Sequence, residues 1–227
     1  MECKPCVTLR ERKYAKTKKA ILDIFIAKLN KQQMEDISIK EICDEIQISE
    51  GTFFNYFPKK TDILVYYIAL WSIEVTWKAQ EKEKQGSSLL AIEEIYNHTA
   101  DVAQKLAPIL FEAIAYIAKQ KKILEFDEIS KAEHLTVFSN LKGIEDVPAG
   151  NIVSITRSFL ERAIKTGELP KNTNIDFAQL ALRTIFFGTA MALSQSHVDK
   201  LKIAYQKNIK ILWNSLKSFQ DRADKQK

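Results

Sequence analysis

The chain has 227 residues, 46% of them apolar, enough for one or two domains with real cores and too many for a disordered segment. Its 34 Lys and Arg against 29 Asp and Glu leave a net charge of only +5, so bulk charge alone does not mark a nucleic-acid binder. Six glycines and five prolines are too few turn formers for a sandwich, a barrel or a glycine-rich nucleotide fold, and they favour long helices.

The N-terminus has no apolar run of the secretory kind. The longest charge-free stretch, Thr184 to Val198, is too short and too polar at its end to span a bilayer. Three cysteines give no disulfide framework. The expectation is a soluble, cytoplasmic protein without membrane contact.

In chain order, residues 1–9 read as a loose tail. From Arg10 to Lys19 the chain carries six basic residues and the single acid Glu11, a local excess equal to the net charge of the whole molecule. Ile21, Ile24, Phe25 and Leu29 follow at helical spacing, giving a first helix with a basic start and an apolar face. Ser38 is a plausible N-cap, and Glu41 three residues on predicts a capping box. Ile39, Ile42, Cys43 and Ile46 make the apolar face of a short helix. Ser49 offers a second cap a few residues later. Two short capped helices separated by about three residues form a helix-turn-helix pattern, and the second ends near Phe57-Pro58.

A long helix begins at Lys60 or Thr61, with Ile63, Leu64, Tyr67, Ile68, Trp71 and Val75 as its stripe, and runs to the Gln85–Ser88 turn. Further helices are expected over Ser88–Lys105 and over Pro108–Gln120, with Pro108 at a first helical position. Another helical stretch is read over Ile123–Leu141. Asn151 caps a helix that stops at Gly167, Asp176 caps one running to about Ser194, and a last helix covers Val198 to about Arg222. No strand signal, internal repeat or low-complexity segment is present.

Residues 38–64 carry the most specific pattern. Ser49, Gly51, Thr52, Phe54, Tyr56, Phe57, Lys60 and Leu64 stand in the order and spacing Ser-x-Gly-Thr-x-aromatic-x-Tyr-Phe-x-x-Lys-x-x-x-Leu. This run resembles the DNA-binding signature of TetR/AcrR-type transcriptional regulators, and its place after one N-terminal helix fits that family too. Two positions depart from the pattern: Gln47 stands where the turn often has Gly, and Phe54 where Tyr is usual. The Gly167-Glu168-Leu169-Pro170 turn is a weaker match.

The chemistry of the run agrees with the resemblance. A small, uncluttered helix start suits the major groove. Glu50, Gly51 and Thr52 supply it, and Asn55 and Tyr56 add polar groups one turn on. The residues expected to touch DNA are Ser38, Ser49, Glu50, Gly51, Thr52, Phe54, Asn55, Tyr56, Lys59 and Lys60. Lys13 and Lys16 in the basic stretch are expected to add phosphate contacts.

The resemblance implies an all-α protein. An N-terminal three-helix helix-turn-helix domain (10–60) is joined by a long helix to a C-terminal helical domain (61–227) for effector binding and dimerisation. It further implies a repressor that binds a palindromic operator in double-stranded DNA as a homodimer and is released by a small-molecule effector. An apolar or amphipathic effector suits the many aromatics of the middle helices. Trp71, Tyr96, His98, Phe111, Glu112, Tyr116 and Phe138 are the candidate pocket residues. Two helices that look apolar nearly all round offer a dimer interface through Ile152, Ile155, Phe159, Leu180, Thr184, Gly188 and Met191.

Catalysis has no candidate constellation, so no enzyme is expected. No cofactor or metal is expected either. Cys3-Lys-Pro-Cys6 with Cys43 lacks a fourth ligand, although the pair could form a redox disulfide. A helical ligand-carrier or protein-interaction module that no longer reads DNA is the alternative reading.

Overall fold

The structure, a computed structural model, describes residues 7–223, and among these every regular element is helical. The helices are α1 (Leu9–Leu29), α2 (Ile39–Ile46), α3 (Glu50–Tyr56), α4 (Lys60–Glu83), α5 (Ser88–Ala118), α6 (Lys131–Val137), α7 (Ile152–Lys165), α8 (Ile175–Leu193) and α9 (Leu201–Ala223). Cys3 and Cys6 lie outside the described residues, so the proposed disulfide switch is not addressed by the fold. No helix among the described residues is long and apolar enough to cross a membrane, and no cluster of His, Cys, Asp and Glu there could hold a metal ion.

The chain forms two compact units. One comprises the chain up to Ile73 together with Glu125–Ala149; the other comprises Glu74–Leu124 and the chain from Gly150 onward. The passage from the first unit to the second falls inside α4. The return of residues 125–149 to the first unit has no counterpart in the pattern of the sequence.

In the first unit, α1 starts at Leu9 because Thr8 and Glu11 form a full capping box. Its buried stripe, with Ile21, Phe25 and Leu29, meets Ile42 and Cys43 of α2, and Phe53 and Phe57 complete the core. Each such Phe stabilises the fold by roughly 1.5–3 kcal/mol through burial. Lys28 ties α1 to α2 through Glu45 (2.6 Å) and Glu41 (3.1 Å). That contact corrects one expectation. Ser38 does cap α2, accepting from the Glu41 N–H at 3.4 Å, but the Glu41 carboxylate goes to Lys28.

The stretch read as helical over Ile123–Leu141 is helical only at Lys131–Val137. Ser130 and Glu133 make its capping box, which fixes its start late.

In the second unit, α5 spans both helices expected around Pro108. It breaks at Leu106 (φ −135°, ψ 46°), two residues ahead of a proline that cannot donate to the helical ladder. Helices α7, α8 and α9 pack on or beside α5. Tyr96 donates to the Leu182 carbonyl at 2.9 Å and Tyr205 to the Phe186 carbonyl at 2.8 Å, while their rings meet edge to face. Gly167 takes the left-handed conformation (φ 81°) at the end of α7. It turns Glu168 back onto the N-terminus of α5, where the carboxylate accepts from the Ser88 N–H (2.8 Å) and the Ser87 hydroxyl. The cap of α8 is Asn174 and not Asp176, which sits in the first turn and pairs with Arg157 at 2.9 Å.

Candidate nucleic-acid interface

The turn between α2 and α3 closes as a Schellman motif. The Gln47 N–H donates to Asp44 O (3.4 Å) and the Ile48 N–H to Cys43 O (3.0 Å). Gln47 sits at φ 57°, ψ 48°, the left-handed position where glycine costs least. A side chain there costs roughly 1–2 kcal/mol, which the flanking caps offset. Ser49 then starts α3 by accepting from the Thr52 N–H at 3.1 Å, and the two hydroxyls lie 2.9 Å apart. The Ser38 and Ser49 hydroxyls are thus committed to holding their helices in place.

Helix α3 divides cleanly. Phe53 is buried, and Phe57 just past its end is buried beside it. Glu50, Gly51, Phe54 and Asn55 are exposed, and Thr52 is half-exposed. Phe54 leaves 44% of its surface open although it is aromatic. Tyr56 is half-buried with its ring 4.7 Å from that of Tyr14 on α1, so it braces α3 as well as facing outward.

The basic residues separate into two groups. Arg10, Arg12, Lys13 and Lys16 are exposed on α1, and none of them forms an ion pair among the described residues. Lys19 pairs with Asp23 at 2.6 Å. Lys18 turns inward. Its Nζ is 2.9 Å from Glu133 and 4.2 Å from the centre of the Tyr66 ring. Only part of the local positive charge is therefore open to a phosphate backbone.

Lys60 requires a correction. Its ammonium donates to the carbonyls of Glu35 and Ile37, both at 2.9 Å, and so clamps the short 3-10 turn Met34–Asp36 ahead of α2 onto the start of α4. It is spent on the fold and not held out for a phosphate. Lys59 is exposed, and its N–H donates to Asp62 at 2.8 Å, capping α4. Lys60→Met should cost about 1–3 kcal/mol in a urea melt, because two carbonyls lose a charged donor. At a temperature where the variant is folded, its affinity for random DNA should change little, as read by fluorescence anisotropy.

The candidate pocket residues are divided between the two units. Trp71 and Phe138 belong to the first unit, and Tyr96, His98, Phe111, Glu112 and Tyr116 to the second. Tyr96 is core, fully enclosed with its hydroxyl bonded. A polar contact that the sequence did not reveal joins His98 to Glu74, Nε2 to Oε1 at 3.3 Å. That contact holds the Glu74 carboxyl below its usual range.

The dimer candidates also divide. Ile155 and Phe159 are buried by their own chain and have no surface to offer a partner. Ile152 is half-buried, whereas Leu180 (59% exposed), Thr184, Gly188 and Met191 are open. The periodicity of α7 showed an apolar face but not what covers it.

No protein-family model matches the chain. FadR of Thermus thermophilus, a TetR-family transcriptional repressor solved in complex with lauroyl-CoA, superposes with a TM-score of 0.59 at 15% identity over 86% of this chain and 92% of that one. A putative TetR-family transcription regulator from Shewanella sp. PV-4 gives 0.54 at 16% identity over 88% and 97%. The chain has the fold of the TetR family. Among curated proteins, the nucleoid occlusion factor SlmA of Glaesserella parasuis is 22% identical over 139 residues, covering 61% of this chain and 67% of the relative. Within the TetR fold, α2 and α3 are the helix-turn-helix that the motif at 38–64 describes.

Proposed function

We propose that this chain is a TetR-type transcriptional repressor. It binds a palindromic operator as a homodimer and leaves it when a small apolar or amphipathic effector occupies the helical second unit. The observation that carries this reading is the outward face of α3. Glu50, Gly51, Phe54 and Asn55 stand free on a helix whose other side is locked by Phe53 and whose start is fixed by Ser49. Asn55 suits adenine, and the Phe54 ring suits a thymine methyl. Arg10, Arg12, Lys13 and Lys16 provide sequence-independent phosphate contacts. A gel shift with the DNA upstream of the chain's own gene, in excess random DNA, tests the reading. A retained complex supports it, and loss of the complex to random competitor favours the carrier or interaction module.

The dimer rests on α8. Ala178, Leu182, Phe186 and Ala190 face inward, while Phe177, Leu180, Thr184, Gly188 and Met191 face out. Ile203 and Ile211 of α9 are exposed as well. Nothing lies within 4 Å of a Cβ built on Gly188, so another backbone can approach there. A second copy laid on this stripe gives the two-fold helical pairing that such surfaces favour. Light scattering should therefore report about twice 26.1 kDa at micromolar concentration. Leu180→Glu should give a folded monomer, because the residue is outward-facing. A wild-type monomer would remove the dimer from the proposal.

The effector is expected among the helices of the second unit, with the His98–Glu74 pair as a polar anchor. Lauroyl-CoA, held by the Thermus thermophilus neighbour, is an amphipathic compound of the class to try first.

A further inference from the structure

Beside the C-terminal end of α3, the first unit holds a cleft of about 270 Å³ that is open to solvent on one side. Four aromatic residues line it, Tyr56, Phe57, Tyr66 and Phe126, together with two carboxylates, Asp62 and Asp127. Lys18 also reaches its wall.

The ring faces here already accept a cation. Lys18 Nζ lies 4.2 Å from the centre of the Tyr66 ring and 5.7 Å from that of Phe57. Its charge is matched by Glu133 at 2.9 Å. The two lining carboxylates are not matched. Asp62 accepts the Lys59 N–H at 2.8 Å, and neither it nor Asp127 has a cationic partner among the described residues. The wall therefore carries uncompensated negative charge beside aromatic faces.

The Tyr66 hydroxyl gives an independent indication. The residue is 5% exposed and lines the cleft; its hydroxyl lies beside the Glu133 carboxylate, and its oxygen accepts from no donor among the described residues. Burial, reinforced by the charge of Glu133, holds this phenol far above its ordinary pKa, so it stays neutral and can accept from a ligand N–H.

We propose that this cleft is a binding site for a small organic cation, an aromatic or alkyl amine, amidine or quaternary ammonium compound. Its positive group would face Asp62 and Asp127, and its apolar part would lie against the aromatic walls. The volume is just below that of drug-sized pockets, so a single ring with a short charged arm fills it. Such a ligand would touch Tyr56 and the residues that follow α3.

Calorimetry on the full chain tests this with benzamidine as the probe, against neutral benzyl alcohol and anionic benzoate. Benzamidine should bind with a dissociation constant on the order of 0.1–1 mM, as expected for about nine heavy atoms. Benzyl alcohol and benzoate should bind at least tenfold more weakly. Asp127→Asn should weaken benzamidine tenfold or more. Tyr66→Phe, which keeps the ring and removes the hydroxyl, should weaken it several-fold. Asp127 is exposed, so the Asn variant should melt like the wild type and its loss of binding can be read directly. The proposal is overturned if benzamidine does not bind, if benzoate binds as well, or if both variants bind as the wild type does. Calorimetry needs no DNA, so the outcome is separable from the operator-binding reading.

Discussion

Glu133→Ala should lower the stability of the protein by about 3–5 kcal/mol, the cost of removing one partner from a buried ion pair. Glu133 is only 3% exposed, and Lys18 is held beside it at 2.9 Å. The same carboxylate accepts from the Ser130 hydroxyl (2.6 Å) and the Ser130 N–H (2.9 Å). Truncation thus strands the Lys18 ammonium in an aromatic surround and also removes the cap of α6. For a chain of this size the melting temperature should fall by about 10 °C. Lys18→Met should be destabilising too, and the double variant Lys18→Met with Glu133→Leu should recover much of the loss. A Glu133→Ala protein within about 1 kcal/mol of the wild type would show that the pair contributes little.

The same pair sets a pH dependence. Burial by itself would raise the Glu133 carboxyl, but the Ser130 and Lys18 hydrogen bonds and the Lys18 charge outweigh it, and the group is held below 4.5. A carboxyl depressed in the folded state stabilises fully above its unfolded value and loses that contribution as pH falls through the folded one. Wild type should therefore lose more stability than Glu133→Ala on acidification below about pH 4.5.

Gly51→Ala should separate folding from DNA reading. A Cβ at Gly51 would meet only the Ser49 hydroxyl oxygen, at 3.9 Å, so the fold has room for it. Alanine in place of glycine within a helix stabilises by roughly 0.5–1 kcal/mol. The melt should accordingly be unchanged or slightly higher. If α3 seats its start against DNA, the added methyl stands between backbone and groove, and operator affinity should drop at least tenfold by anisotropy. Unchanged affinity would mean that Gly51 does not lie at the contact.

Local features were legible because their causes are local. Ser49 and Asn151 cap because a side-chain oxygen needs only the N–H three residues on. The left-handed backbone of Gln47 belongs to the short turn that closes α2 a few residues before α3 begins. Gly167 was legible as a helix stop for the same reason. The misplaced cap of α8 is the local exception, since Asn174 and Asp176 both qualify and only the observed start decides.

Long-range features left no such trace. Lys18 and Glu133 meet across more than a hundred residues, and neither position differs in pattern from a solvated charge. Lys60 reads as a phosphate ligand by its place in the motif, and only the fold shows the Glu35 and Ile37 carbonyls in front of it. Ile155 and Phe159 show the same ambiguity, because an apolar face is the same in sequence whether its own chain or a copy covers it. Tyr96 looked like a pocket wall because hydrogen bonding to a distant carbonyl cannot be seen in a sequence.

The central claim is that the Glu50–Tyr56 helix enters the major groove. Dimethyl sulfate protection on the DNA upstream of the gene tests it directly, because the probed guanine N7 atoms lie in that groove. Two symmetric patches of N7 protection, spaced by about one or more helical turns of roughly 10 base pairs, are the expected result. Binding that leaves every guanine N7 as reactive as in free DNA would contradict it.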